Sequence, residues 1–115
     1  IYVLEPEYSA ASQMIFRDNI QPMIRGKHVL VLMASVTTGY TAKRSIEAIK
    51  YYGGQVAGVA AIYRAVDEVA GYPVRSVYSV EDLPDYQSFD FHDCPYCKAG
   101  KKVDALVNSF GYSAL

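Results

Sequence analysis

Between residues 27 and 63 the chain switches hydrophobic period twice, and few folds accommodate that. Lys27-His28 leads into Val29-Leu30-Val31-Leu32, a continuous apolar run of the kind found in strands covered on both faces. Ser35 to Gly39 breaks the run with small and hydroxylated residues. From Thr41 to Tyr52 the pattern becomes helical: Ala42, Ile46 and Ile49 share one face, and Lys43, Glu47 and Lys50 the other. Gly53-Gly54 ends the helix, because glycine takes the left-handed C-terminal conformation without steric cost. Val56 to Tyr63 is a second buried-type strand. Strand, loop, helix, strand is a βαβ unit, whose two strands are expected to run parallel with a right-handed crossover.

The flanks are less regular. Ile1 to Leu4 reads as a strand, Glu5 to Ser12 as an exposed loop and Gln13 to Arg17 as a returning strand, together a long-looped hairpin. Arg64 to Tyr72 reads as a loop or short helix, and Val74 to Val77 after Pro73 as a further strand. Glu81 to Asp93 looks irregular. Lys101 to Phe110 is expected to be an amphipathic helix, with Val103, Leu106, Val107 and Phe110 on one stripe. No repeat or low-complexity tract is visible. The fold class expected is α/β, a mainly parallel twisted sheet flanked by helices, in a single domain over residues 1–115. The chain starts at Ile1, inside an apolar run, and reads as the C-terminal part of a longer polypeptide.

The charge of −1 over 115 residues argues against a broad nucleic-acid surface, which needs a basic excess. No run of apolar residues is long enough to span a membrane, and with no secretory h-region visible at the N-terminus given, no export is expected. With 2 cysteines, there is no disulfide scaffold, and a reduced, cytoplasmic setting is expected.

The stretch Ser35-Val36-Thr37-Thr38-Gly39-Tyr40-Thr41 lies between a buried strand and a helix N-terminus. The opening amides of that helix lack partners within it, and its dipole places positive charge there. Ser35, Thr37, Thr38 and Thr41 add hydroxyls, Gly39 lets the backbone curl around a ligand, and Lys43 and Arg44 add charge one turn later. These residues suit a phosphate group. The plainer alternative is that the threonines and serine only cap the helix. Neither the GxxxxGK[ST] loop nor the GxGxxG fingerprint is present.

The run VLVLMASVTTGYT, Val29 to Thr41, resembles the phosphoribosyl pyrophosphate motif of type I phosphoribosyltransferases. The following IEAIKYYGGQVAGVAAIY is similar to the next helix and strand of orotate phosphoribosyltransferase-like proteins, and CPYCKAGKKV resembles the tail of some members. The resemblance implies that Thr37, Thr38, Gly39 and Thr41 hold the 5-phosphate of phosphoribosyl pyrophosphate. It further implies magnesium as a cofactor and transfer of phosphoribose to a nitrogen base; a homodimer is expected from the tyrosines. The family's acidic pair, which holds the ribose hydroxyls, falls on Met33 and Ala34, and neither can do that work. The family's mobile lid falls on EPEYSAASQ, Glu5 to Gln13, which contains no Lys or Arg; Glu5 and Glu7 would repel pyrophosphate, and Arg17 is the nearest positive charge. These departures leave room for a second reading: a non-catalytic module that binds a phosphorylated sugar or nucleotide.

Three further groups stand out. His92, Cys94 and Cys97 form H-x-C-x-x-C, which offers three zinc ligands; free thiols, or a redox pair ahead of a helix over Lys98 to Lys102, are the alternatives. Asp67 and Glu68 could bind magnesium or simply sit in a solvated loop. Among 11 tyrosines, Tyr40 is placed to stack or hydrogen-bond near a ligand, while Tyr51, Tyr52, Tyr63, Tyr72 and Tyr78 suit a dimer surface.

Overall fold

The computed structural model describes residues 1–11, 13–90, 92–108 and 110–115. In chain order the elements are β1 (Glu7–Tyr8), β2 (Met14–Ile15), a 3-10 turn (Gln21–Met23), β3 (His28–Val36), α1 (Tyr40–Tyr51), β4 (Gln55–Arg64), β5 (Glu68–Val69), β6 (Tyr72–Tyr78), α2 (Pro95–Lys98), β7 (Ala105–Asn108) and β8 (Gly111–Ala114). The central sheet has the order β3-β4-β6-β5. β3, β4 and β6 are parallel, with Val31 beside Val59 and Val59 beside Val74; β5 adds an antiparallel edge. The result is a mixed α/β fold around a mostly parallel sheet, with low helix content.

Helix α1 packs on one face of the sheet. Ala42, Ser45, Ile46, Ala48 and Ile49 are buried at three- and four-residue spacing. Of these, Ala42, Ile46 and Ile49 join Val31, Val59 and Val74, and Val36, Ala61 and Val69 complete the core. Gly53 ends the helix in the left-handed region at φ +79°, and its N–H donates to the Lys50 carbonyl at 3.0 Å. The βαβ unit, the parallel pairing and the third strand therefore stand as the sequence implied. The opposite face of the sheet carries Leu30, Leu32, Ile62 and Val77, all exposed.

Several expectations fail. Ile1 to Leu4 is not a strand. The returning strand is present, as Met14–Ile15 within Gln13 to Arg17, but its partner is Glu7–Tyr8, inside the segment read as a loop: Glu7 pairs with Ile15 and Tyr8 with Met14, and the Arg17 guanidinium binds the Glu7 carboxylate. Ile1 to Leu4 has no partner strand among the described residues, so its β-propensity goes unsatisfied. Ser12 lies outside the described residues. Arg64 to Tyr72 is neither a plain loop nor a helix: burial of Val69 in the core draws Glu68–Val69 against β6. Lys101 to Phe110 is not a helix. Ala105 to Asn108 pairs with Gly111 to Ala114, and the Asn108 side chain accepts the Phe110 N–H at 2.9 Å. Val103, Leu106, Val107 and Phe110 are exposed, so the stripe has no surface to bury against, and turn chemistry decides instead. Ser109 lies outside the described residues. The helix expected over Lys98 to Lys102 lies earlier, at Pro95–Lys98.

Candidate functional site

Strand β3 runs further than expected. Ser35 and Val36 belong to it, and Val36 is buried in the core. The connecting turn is therefore Thr37-Thr38-Gly39, with Tyr40 and Thr41 opening α1. It lies at the carboxyl end of a parallel strand, where open α/β sheets bind ligands.

The N-cap of α1 is Gly39, at φ +78° and ψ 0°, and no side chain caps the helix. Its carbonyl accepts the Lys43 N–H at 2.8 Å. The nearest approach to a side-chain cap is Tyr40 N–H to Thr38 Oγ1 at 3.5 Å, at the limit of a hydrogen bond. The capping alternative thus does not describe this turn. A side chain at Gly39 would be strained by the positive φ and would meet Val69 Cγ2 at 2.8 Å. The turn is pressed against β5, with exposed Thr38 facing outward.

Thr38 stands between two open clefts. The first, about 340 Å³, is lined by Thr38, Gly39, Tyr40, Lys43, Glu68, Val69, Ala70 and Asp90. Lys43 supplies positive charge, which Glu68 and Asp90 oppose. The second, about 500 Å³, is bounded by Thr37, Thr38, Ala65 and Val66 on one side and by Val80 and Tyr86 to Phe89 on the other. Tyr40 is exposed, and the Arg44 guanidinium lies 4.4 Å from its ring centroid.

At the end of β3, Met33 packs against the core and Ala34 is exposed. Neither offers an oxygen. Asp67 binds the Arg64 guanidinium at the carboxyl end of β4, and Glu68 lies in β5. Among the described residues, these carboxylates do not gather with a third ligand as a protein-held magnesium ion would need.

Sequence reasoning missed the aromatic wall of the second cleft. Tyr63, expected at a dimer surface, is buried; its ring lies edge-on to Tyr86 at 5.0 Å, and its hydroxyl has no partner among the described residues. Its position at the carboxyl end of a buried strand was the available signal. Tyr52 and Tyr72 are half-buried: Tyr52 packs against Phe16, and Tyr72 lies under the Lys50 ammonium. Tyr51 and Tyr78 are exposed.

Cys94 and Cys97 are free thiols on the turn that opens α2. The Cys97 backbone N–H bonded to Cys94 lowers the Cys94 pKa, aided by the Cys97 side chain and the Lys98 charge; the hydrogen bond with Cys94, and its charge, raise that of Cys97. The His92 backbone N–H donates to Asp90 Oδ1 at 3.0 Å. Among the described residues, no three His, Cys, Asp or Glu side chains converge as a metal site. Nor is any helix among them long and apolar enough to cross a membrane.

No family model matches the chain. It is 42% identical over 108 residues to the orotate phosphoribosyltransferase of Thermotoga maritima, covering 86% of this chain and 56% of that protein. It is 35% identical over 77 residues to the orotate phosphoribosyltransferase of Caldicellulosiruptor bescii, covering 65% of this chain and 38% of the relative. A third, from Caldanaerobacter subterraneus, is 33% identical over 91 residues, with 72% and 46% covered. The chain spans about half the length of the curated relatives it matches. Together these similarities support an orotate phosphoribosyltransferase-like relationship.

Proposed function

We propose that this is a phosphoribosyltransferase-like domain that binds phosphoribosyl pyrophosphate at Thr37 to Thr41 and transfers phosphoribose to a nitrogen base. The observation that carries this is the uncapped N-terminus of α1: its opening amides, the Thr37 and Thr38 hydroxyls and Lys43 surround a turn whose positive φ and close Val69 contact favour glycine. The 5-phosphate would sit on the turn, in the cleft that holds Lys43. The second cleft, about 500 Å³ and walled by Tyr86 and Phe89, would take the planar base against its aromatic rings. The work asked of the protein is positioning and charge stabilisation, without a covalent intermediate.

Met33 favours a second reading. It packs on the core where a ribose-binding carboxylate would be wanted, which suits a module that binds a phosphorylated sugar or nucleotide without turning it over. The charge that would close a lid is also spent, since Arg17 is bound to Glu7.

Two measurements test these readings. Thermal unfolding with inorganic phosphate, ribose 5-phosphate and phosphoribosyl pyrophosphate should show stabilisation rising in that order. No shift with any of them removes both readings. Pyrophosphate release with orotate and other bases then separates them: release establishes the transferase, and binding without release establishes the module.

A further inference from the structure

Cys94 and Cys97 lie outside the phosphate turn, and the proposed activity gives them no work. We propose that they form a reversible dithiol–disulfide site that exchanges with low-molecular-weight disulfides of the oxidised-glutathione class. Cys94 precedes α2 and Cys97 is its third residue, so one closed turn carries both thiols. The Lys98 N–H donates to the Cys94 carbonyl at 3.1 Å and the Ala99 N–H to the Pro95 carbonyl at 3.0 Å, which fixes their spacing. Residues three apart on a helical turn lie side by side, with Cβ atoms about 5–6 Å apart, and the directions in which the two thiols shift each other's pKa agree with their being neighbours. Cys97 is exposed and Cys94 half-buried, within reach of a small reactant. Tyr96, between them, packs edge-on against Phe89 at 6.0 Å, so the new bond would form at the foot of the aromatic cleft's wall.

A metal clip is the rival use of the same thiols. It is disfavoured because His92 and the neighbouring carboxylates do not converge on the pair among the described residues.

The exchange balances in two steps. The Cys94 thiolate attacks one sulfur of the small disulfide, forming a mixed disulfide and releasing one thiolate, which takes up a proton. Cys97 then loses its proton and attacks the Cys94 sulfur, closing the Cys94–Cys97 bond and expelling the second small thiol. The protein dithiol is oxidised by two electrons and the small disulfide is reduced by two.

The test uses the whole chain, reduced, then incubated across glutathione redox ratios, trapped by alkylation and read by intact mass and peptide mapping. Wild-type protein should lose one pair of hydrogens, retain no glutathione, and recover fully on reduction. Cys97→Ser should trap glutathione on Cys94, at least about tenfold more than wild type. Cys94→Ser should react more slowly than Cys97→Ser. Wild type that keeps glutathione on separate cysteines, or stays reduced at every ratio, overturns the proposal. So does zinc bound in equimolar amount, with thiols that alkylate only after chelation. Cys97 is exposed and Cys94 only half-buried, and matching circular dichroism spectra establish that both variants fold.

Discussion

The two faces of the central sheet come from the same three parallel strands and have opposite fates. On the α1 side, Val31, Val59 and Val74 are 8%, 1% and 4% exposed. On the other side, Leu30, Leu32, Ile62 and Val77 are 58%, 77%, 57% and 71% exposed. Parallel strands read as near-continuous apolar runs because helices ordinarily cover both faces. These strands carry that composition, yet one helix covers one face. Identical residue types thus hold the fold together on one side and leave an apolar patch on the other.

The sharpest way to break this contrast is a charge on each face. Val59→Asp should cost more than about 4 kcal/mol and leave the chain unfolded, because it buries an unpaired carboxylate. Leu32→Asp should stay within about 0.5 kcal/mol in urea unfolding. A similar large loss at Leu32 would mean that the second face is covered in solution. Truncation asks the same question more gently: Ile46→Ala should cost about 2–5 kcal/mol and Leu30→Ala under about 1 kcal/mol.

The phosphate turn is tied to the covered face, and it gives the next effect. Gly39→Val should lose about 1–3 kcal/mol from the positive φ and the Val69 contact, and should also abolish the thermal shift with ribose 5-phosphate. The end of β3 divides the same way: Met33→Asp places charge against the core, whereas Ala34→Asp does not. Ala34→Asp should therefore fold normally and raise ribose 5-phosphate affinity severalfold in calorimetry. No gain would count against aligning this position with a ribose-binding acid. The smallest effect leaves stability untouched: below the ordinary thiol value of 9.0, Cys94 should alkylate faster than Cys97, because its neighbours favour the thiolate.

Legibility followed burial. The βαβ unit was readable because Val29 to Leu32, the Ala42-Ile46-Ile49 stripe and Val56 to Tyr63 all end up paired or packed. Periodicity reports what a core selects. It misled at Lys101 to Phe110, where the stripe was real and the surface to receive it was not. It also misled at Ile1 to Leu4, whose β-propensity has no neighbouring strand to satisfy it. For the site, residue types placed the glycine and threonines in the turn one residue at a time. They could not show that Ser35 and Val36 remain in the strand, or that the loop from Val80 to Phe89 folds back to wall the second cleft. Such contacts join positions far apart along the chain, and no local pattern records them.

Val69 makes the last point. Its methyl group occupies the space where any other residue would carry a β-carbon at position 39, so a residue thirty places downstream acts as the backrest of the turn. Shaving that side chain to alanine would leave Thr37, Thr38, Tyr40 and Lys43 in place, while removing the brace behind the turn and part of the first cleft's lining. The β5–β6 hairpin thus sets the shape of the turn from behind and forms one wall of the first cleft.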